Sequence, residues 1–207
     1  MRTMTSGPWT AVLFLLAIGV ALLPAVALAE EDNGKAETFL VSLGERAIVV
    51  AKDSEASVED RETRIRALLR EGFDVPVIAR LVLGKHWRKI DKDQRSEFVS
   101  VFEDVMVQQS LLIFGKYAGE TFDVKAVGPD RANPKLLAVS TQINRPNGAV
   151  AKVDWRLRKR GKDYKIIDIV AEGISMALTL RQEYDSVIQQ NGGKVEHLIE
   201  KLRKSAA

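Results

Sequence analysis

The chain divides into two halves with different hydrophobic periods. Up to about Gly115 the apolar residues recur at the three- and four-residue spacing of amphipathic helices. Phe39, Leu40, Leu43, Ala47 and Val50 share one face of a helix predicted over Ala36–Lys52. Ser57 opens a second helix, in which Ile65, Leu68 and Leu69 form a narrow stripe that Gly72 ends. Asp74 and Pro76 start a third, carrying Val77, Ile78, Leu81 and Val82 to a stop at Gly84. Asp91 with Gln94 has the spacing of a capping box and begins a fourth, running to about Gly115.

Beyond Gly115 the period changes to that of strands. Phe122–Val127 ends at Gly128-Pro129, and Leu136–Asn144 ends at the turn Pro146-Asn147-Gly148. Val150–Lys159 alternates, with Val153, Trp155 and Leu157 on one face and Lys152, Asp154, Arg156 and Arg158 on the other. The turn from Arg160 to Asp163 leads into Tyr164–Val170, where Ile166, Ile167, Ile169 and Val170 place apolar side chains on both faces. A strand of that kind is covered on both sides. Gly173 then lets the chain turn, Ser175 has the place of an N-cap, and Ala177, Leu180, Tyr184 and Ile188 mark a helix over Met176–Gln190. A last helix over Lys194–Lys204 offers Val195, Leu198, Ile199 and Leu202. Helices, an antiparallel meander and further helices define an α+β domain with helices packed against one sheet.

The fourth helix carries more apolar surface than one core face uses. From Phe98 to Phe114, 11 of 17 residues are apolar and only Glu103 and Asp104 are charged. Phe98, Val101, Phe102, Val105 and Leu112 make the expected core face, with Val99, Met106, Val107, Leu111, Ile113 and Phe114 around the rest. Such a helix is either wholly buried or lies between a core and an apolar cavity. The second alternative puts a cavity between this helix and the sheet carrying Trp155 and Ile167.

Charge and composition narrow the setting. Arg2 is the only charge before Glu30, and Ala11–Leu23 is an apolar run of the length of a signal-peptide core. Pro24 breaks it and Ala27-Leu28-Ala29 fits a cleavage site, so residues 1–29 read as a signal peptide and 30–207 as one exported domain. An uncleaved anchor is the alternative, since Thr3–Ala29 is uncharged and long enough to span a bilayer. The mature chain carries 30 basic and 28 acidic residues, a balance that points away from nucleic acid. With no cysteine, disulfides and thiolate metal sites are excluded.

Candidate chemistry is sparse. His86 and His197 stand alone, outside any metal-ligand spacing, and no Gly-rich phosphate loop occurs. Gly173-Ile-Ser-Met-Ala177 resembles a nucleophile elbow without its final Gly, and Ser175 has the better role as N-cap. Neither a catalytic set, a metal nor a cofactor is expected. Arg156, Arg158, Lys159, Arg160, Lys162 and Lys165 surround one turn, as a solvated hairpin tip or as a docking patch for an acidic partner or anionic headgroups. Asp168 and Arg181 are a candidate pair, as a structural ion pair in the first place and as contact with a ligand phosphate in the second.

With these residues in view, the chain resembles the MlaC-type, or toluene-tolerance, family. Phe73-Asp74 leads to Leu83-Gly84-Lys85-His86-Trp87-Arg88, followed by Gln94, Phe98 and Phe102. Tyr164-Lys165-Ile166-Ile167-Asp168-Ile169 leads to Gly173-Ile174-Ser175, then Arg181, Tyr184, Gly192 and Leu198-Ile199. The family usually has Trp at Tyr164, Tyr at Leu180 and Phe at Tyr184, departures that keep bulk but leave the lipid class open.

The resemblance implies a periplasmic phospholipid carrier with no catalytic role. It would serve an ABC-type system that maintains outer-membrane lipid asymmetry, docking on an outer-membrane lipoprotein complex and on an inner-membrane substrate-binding ring. It also implies a strongly curved antiparallel sheet with an apolar cavity beneath the helices. Phe73, Trp87, Phe98, Val101, Phe102, Val105, Trp155, Ile167, Leu180 and Tyr184 would hold lipid tails, while Arg181, Arg158 and Arg160 would meet a headgroup or partner. A hopanoid-associated branch of the family, and a periplasmic chaperone or scaffold without lipid cargo, are the alternatives.

Overall fold

The computed structural model describes residues 23–206, with side chains from residue 30 onward. Four helices come first: α1 (Leu23–Lys52), α2 (Val58–Gly72), α3 (Val75–Leu83) and α4 (Lys92–Phe114). The strands β1 (Thr121–Pro129), β2 (Leu137–Asn144), β3 (Val150–Arg160), β4 (Asp163–Ala171) and β5 (Ile174–Ser175) follow, then α5 (Met176–Gln190) and α6 (Val195–Ala206). The expected leader core falls outside the described residues, apart from Leu23, where α1 starts. Pro24 lies in the first turn of α1, where no backbone N–H is required. This helix begins well before Ala36 because its polar stretch is held locally. Lys35 donates to Glu31 at 2.6 Å, and Thr38 Oγ1 donates to the Gly34 carbonyl at 2.9 Å.

The helix boundaries follow from their caps. Ser57 Oγ accepts the Asp60 N–H at 3.1 Å, so α2 starts where the sequence puts it. The Asp91 carboxylate accepts the Gln94 N–H at 2.9 Å while Gln94 Oε1 accepts the Asp91 N–H at 3.1 Å, completing the capping box of α4. Gly84 ends α3 at φ +56° and leads into a 3-10 turn, Gly84–Arg88. An added Cβ there would come within 2.5 Å of Arg181 Nε, so glycine serves both the backbone and the passing side chain.

The sheet is an antiparallel meander in which spatial order equals sequence order. The two-residue β5 is an addition to the expected elements, pairing Ser175 with Val170 and Ile174 with Ala171. Between β3 and β4, Trp155 faces Ile169, Arg156 faces Asp168 and Leu157 faces Ile166, which leaves Ile167 unopposed in a β-bulge. The bulge accounts for the apolar run in β4. Ile166 and Ile169 face α1, whereas Ile167 is turned into the core formed by α3 to α6.

Two cores therefore flank α4. Phe98, Val101 and Phe102 pack with α3, α5 and α6, while Val107 is fully buried against Val50, Ile65 and Leu69 of α1 and α2. That division explains the unusual apolar content of α4, and it corrects the expected core face. Leu112 is 59% exposed rather than buried, because the last turns of α4 extend past the helices that cover its N-terminal part. Arg66 of α2 clamps the outer side, reaching Asp104 at 2.7 Å and Glu103 at 3.1 Å.

Candidate functional site

The inner face of the sheet is not fully covered by helices. Between it and α1, α2 and the C-terminal end of α4 lies a cavity of about 340 Å³. Leu40, Leu43 and Ile48 come from α1, Leu68 and Leu69 from α2, and Ile113 and Phe114 from α4. The floor is Ile143, Trp155 and Ile169, inward positions of β2, β3 and β4. Phe73, the C-cap of α2, closes one end; its neighbour Asp74 donates its N–H to the Ile166 carbonyl at 2.9 Å, which pins the α2–α3 junction to β4.

The polar groups of the wall are already engaged. Trp155 Nε1 donates to Thr141 Oγ1 at 3.0 Å, and that hydroxyl donates to the Val153 carbonyl at 3.0 Å. Ser110 Oγ donates to the Met106 carbonyl at 2.8 Å. The Glu120 carboxylate accepts the Ala118 N–H at 2.8 Å, and such backbone hydrogen bonds hold its pKa below the usual glutamate value. What remains facing the cavity is hydrocarbon. The site offers burial for an apolar ligand, with its polar atoms confined to the rim at Tyr117, Glu120 and Thr121. Ile113, at that rim, is 66% exposed, and Lys52 stands 6.0 Å over the Tyr117 ring.

The cavity is displaced from the one expected between the Phe98 segment and Ile167. Of the ten residues assigned to lipid tails, Phe73 and Trp155 are in the wall. Phe98 and Phe102 stack at 5.9 Å, with the Tyr184 ring edge-on at 6.3 and 6.5 Å, in a filled core. Burial in that core pushes the Tyr184 hydroxyl up to about 12. Val101 and Ile167 are buried there too, and Val105, Leu180 and Trp87 pack against it half-exposed. Trp87 also lies 5.5 Å beneath the Arg95 guanidinium. The physical reason for the displacement is the bulge at Ile167 together with the side of α4 that α1 and α2 cover. Leu40, Leu43, Gly44, Leu68 and Phe122 also line the cavity, outside the expected site residues, and their signal in the sequence is a glycine inside the apolar face of α1.

The charged residues fall differently from expectation as well. Asp168 is paired not with Arg181 but with Arg156, at 3.0 Å, because β3 sets the two in register. Asp168 also accepts Ser175 Oγ at 2.6 Å and the Ala177 N–H at 3.0 Å, while Ser175 Oγ accepts the Leu178 N–H at 3.1 Å. Ser175 is thus a cap. Arg181 lies beside Gly84, away from the cavity. Five of the six hairpin cations hold the fold: Arg156 binds Asp130 and Asp168, Lys159 binds Asp32, and Lys165 binds the Arg70 and Glu71 carbonyls. Arg158 and Arg160 stand 3.4 and 3.9 Å from the buried Asp74 carboxylate. His86 Nε2 meets Asp185 at 2.6 Å, and among the described residues no metal-binding cluster occurs. No helix among them is long and apolar enough to cross a membrane.

Comparison with known proteins adds three relatives to this geometry. A Haemophilus influenzae protein, the intermembrane phospholipid transport system binding protein MlaC, is 20% identical over 129 residues, 61% of this chain and 59% of the relative. The toluene tolerance protein ttg2D of Pseudomonas putida is 23% identical over 116 residues, 56% of this chain and 53% of the relative. The aligned part thus spans somewhat more than half of each relative's length. The fold is shared with a phospholipid-binding protein from Ralstonia solanacearum, solved in complex with a phospholipid, at a TM-score of 0.70 and 17% identity. That match covers 83% of this chain and 97% of the other. A family model described as MlaC protein matches residues 43–204, which includes nearly every element that builds the cavity, and the chain belongs to that family.

Proposed function

We propose that the protein is a phospholipid carrier of the periplasm, taking lipid between inner- and outer-membrane components of an intermembrane transport system. The observation that carries this reading is the hydrocarbon-lined cavity on the inner face of the sheet. Each methylene moved from a bilayer into water loses about 0.8 kcal/mol, so two long tails in transit would cost on the order of 20 kcal/mol. Covering the tails removes that cost while the headgroup stays at the polar rim near Lys52 and Glu120. The family membership, the phospholipid transport system of the Haemophilus relative and the phospholipid bound to the Ralstonia protein support the same cargo. The residue 1–29 leader supports export, and docking on an inner-membrane ring and an outer-membrane lipoprotein complex completes the proposed cycle.

Mass spectrometry of organic extracts from the purified chain tests the reading. Stoichiometric phospholipid, removable and restored by incubation with phospholipid vesicles, is expected. A protein that neither carries nor takes up lipid overturns it.

A further inference from the structure

Gly44 sits in the middle of α1, inside its apolar face, where glycine is a poor helix former. An added Cβ there would come within 2.5 and 2.6 Å of Phe122 Cζ and Cε1. The Phe122 ring therefore stands end-on against the helix backbone, in space that an alanine would close. Phe122 is on β1, the edge strand, opposite Ile143, and both line the cavity. Farther along β1, Val124 and Val127 pack against the Ala36, Leu40 and Leu43 side of α1. Phe122 is the last in that row, at the end beside Thr121 and Glu120. It fills the slot between α1 and the sheet edge.

The space left inside is small for the proposed cargo. At about 340 Å³ the cavity lies at the low end of the range of about 300–1,000 Å³ found for pockets that take drug-sized ligands. That is small for a lipid with two long tails. A two-tailed lipid needs a wall to move, and the Phe122 ring is suited to do so. It is half-buried, on a strand with no paired neighbour on its outer side among the described residues, and it rests on a helix position that has no side chain to retain it.

We propose that Phe122, seated on Gly44, is the residue that sets how many acyl tails the cavity takes. In the seated position the cavity takes a single tail; with the ring displaced, the slot between α1 and β1 admits the second. This rests on the lipid-carrier reading and goes further by naming the specificity-determining contact. It also explains the glycine, since any larger residue at position 44 would hold the ring off the helix.

The test uses delipidated full-length mature protein and two probes, palmitoyl lysophosphatidylethanolamine with one tail and dipalmitoyl phosphatidylethanolamine with two. The quantity read is the ratio of two-tailed to one-tailed lipid bound from an equimolar mixture, by native mass spectrometry. Phe122→Ala is expected to raise the ratio by about tenfold or more, and Phe122→Trp to lower it. Gly44→Ala, which displaces the ring, should raise it too, with no further rise when combined with Phe122→Ala. Phe122→Leu keeps an apolar side chain on the strand and should fall between, so poor folding of the alanine variant still leaves a reading. Ratios equal to wild type in all the folded variants overturn the proposal while leaving the carrier reading in place. Failure of every form, wild type included, to bind either probe overturns both.

Discussion

The hydroxyl of Tyr164 donates to the Asp32 carboxylate at 2.6 Å and lies 3.0 Å from the Asp32 carbonyl, tying the start of β4 to the N-terminal part of α1. Lys159 reaches the same carboxylate from β3. Lys159 first and Tyr164 second lower the Asp32 pKa, while burial and the carboxylate raise that of Tyr164. The contact adds to the apolar packing of Leu40 and Leu43 and to the Arg46–Glu71 ion pair in holding α1 over the cavity.

Tyr164→Phe keeps the ring and its packing against Phe39 but removes the hydrogen bond. A hydrogen bond to a charged group is worth about 1.5–3 kcal/mol when buried, and the exposure of Asp32 reduces that to about 1–2 kcal/mol. Urea unfolding should show the loss. A midpoint equal to wild type would mean that α1 is held without this hydrogen bond.

Arg158 and Arg160 answer differently to charge reversal, although the sequence presents them as one patch. Asp74 is 4% exposed, and Arg158 lies nearer to it than Arg160 does. Arg158→Glu would set two carboxylates together at the start of α3 and is expected to cost about 1–3 kcal/mol, discounted for the exposure of the arginine. Arg160→Glu is expected to cost less than about 1 kcal/mol. Equal melting temperatures for the two variants would show that Asp74 is satisfied without Arg158.

The fold was legible where a signal is local. The Ser57 cap, the Asp91–Gln94 box, the Gly84 stop and the alternation of Val153, Trp155 and Leu157 each depend on residues within a few positions. The site was less legible because it depends on register and on which helix covers which face. One unopposed residue, Ile167, reverses the side that a β4 residue faces, and no period in the sequence records it. In the same way, α4 has an apolar circumference whichever side carries the cavity. Only the packing of Val107 under α1 and α2 decides that the cavity lies toward Phe114 and not toward Phe98. The ion pair of Asp168 was expected with the helix that follows it, but strand pairing set Arg156 closer.

Asp185 provides a pH dependence. Lys85, at 2.9 Å, and then His86 hold its carboxyl down to about 2. An unfolded aspartate titrates near 3.9, so the folded value is depressed. Its contribution to stability is complete above about pH 4–5 and is lost as pH falls through the folded value near 2. The difference in urea midpoint between wild type and Asp185→Asn should shrink steadily as pH falls below about 4. A difference that stays constant or grows from about pH 4 to 2 would overturn the assignment to Asp185.

The position of the cavity is tested by adding bulk to its floor. Ile169 lies opposite Trp155 on the inner face, with empty volume above it. Ile169→Trp is expected to be accommodated in that volume, with the melting temperature of the lipid-free protein within about 4 °C of wild type. The same tryptophan at Val107, which is fully buried among Val50, Ile65 and Leu69, has no such space and should cost about 1–3 kcal/mol through overpacking. Extractable phospholipid per protein separates occupancy from stability. Ile169→Trp should lose most of its lipid because the indole takes the place of the tail. An Ile169→Trp protein destabilised as much as Val107→Trp, yet still carrying its full lipid complement, would show that the tails lie elsewhere in the fold.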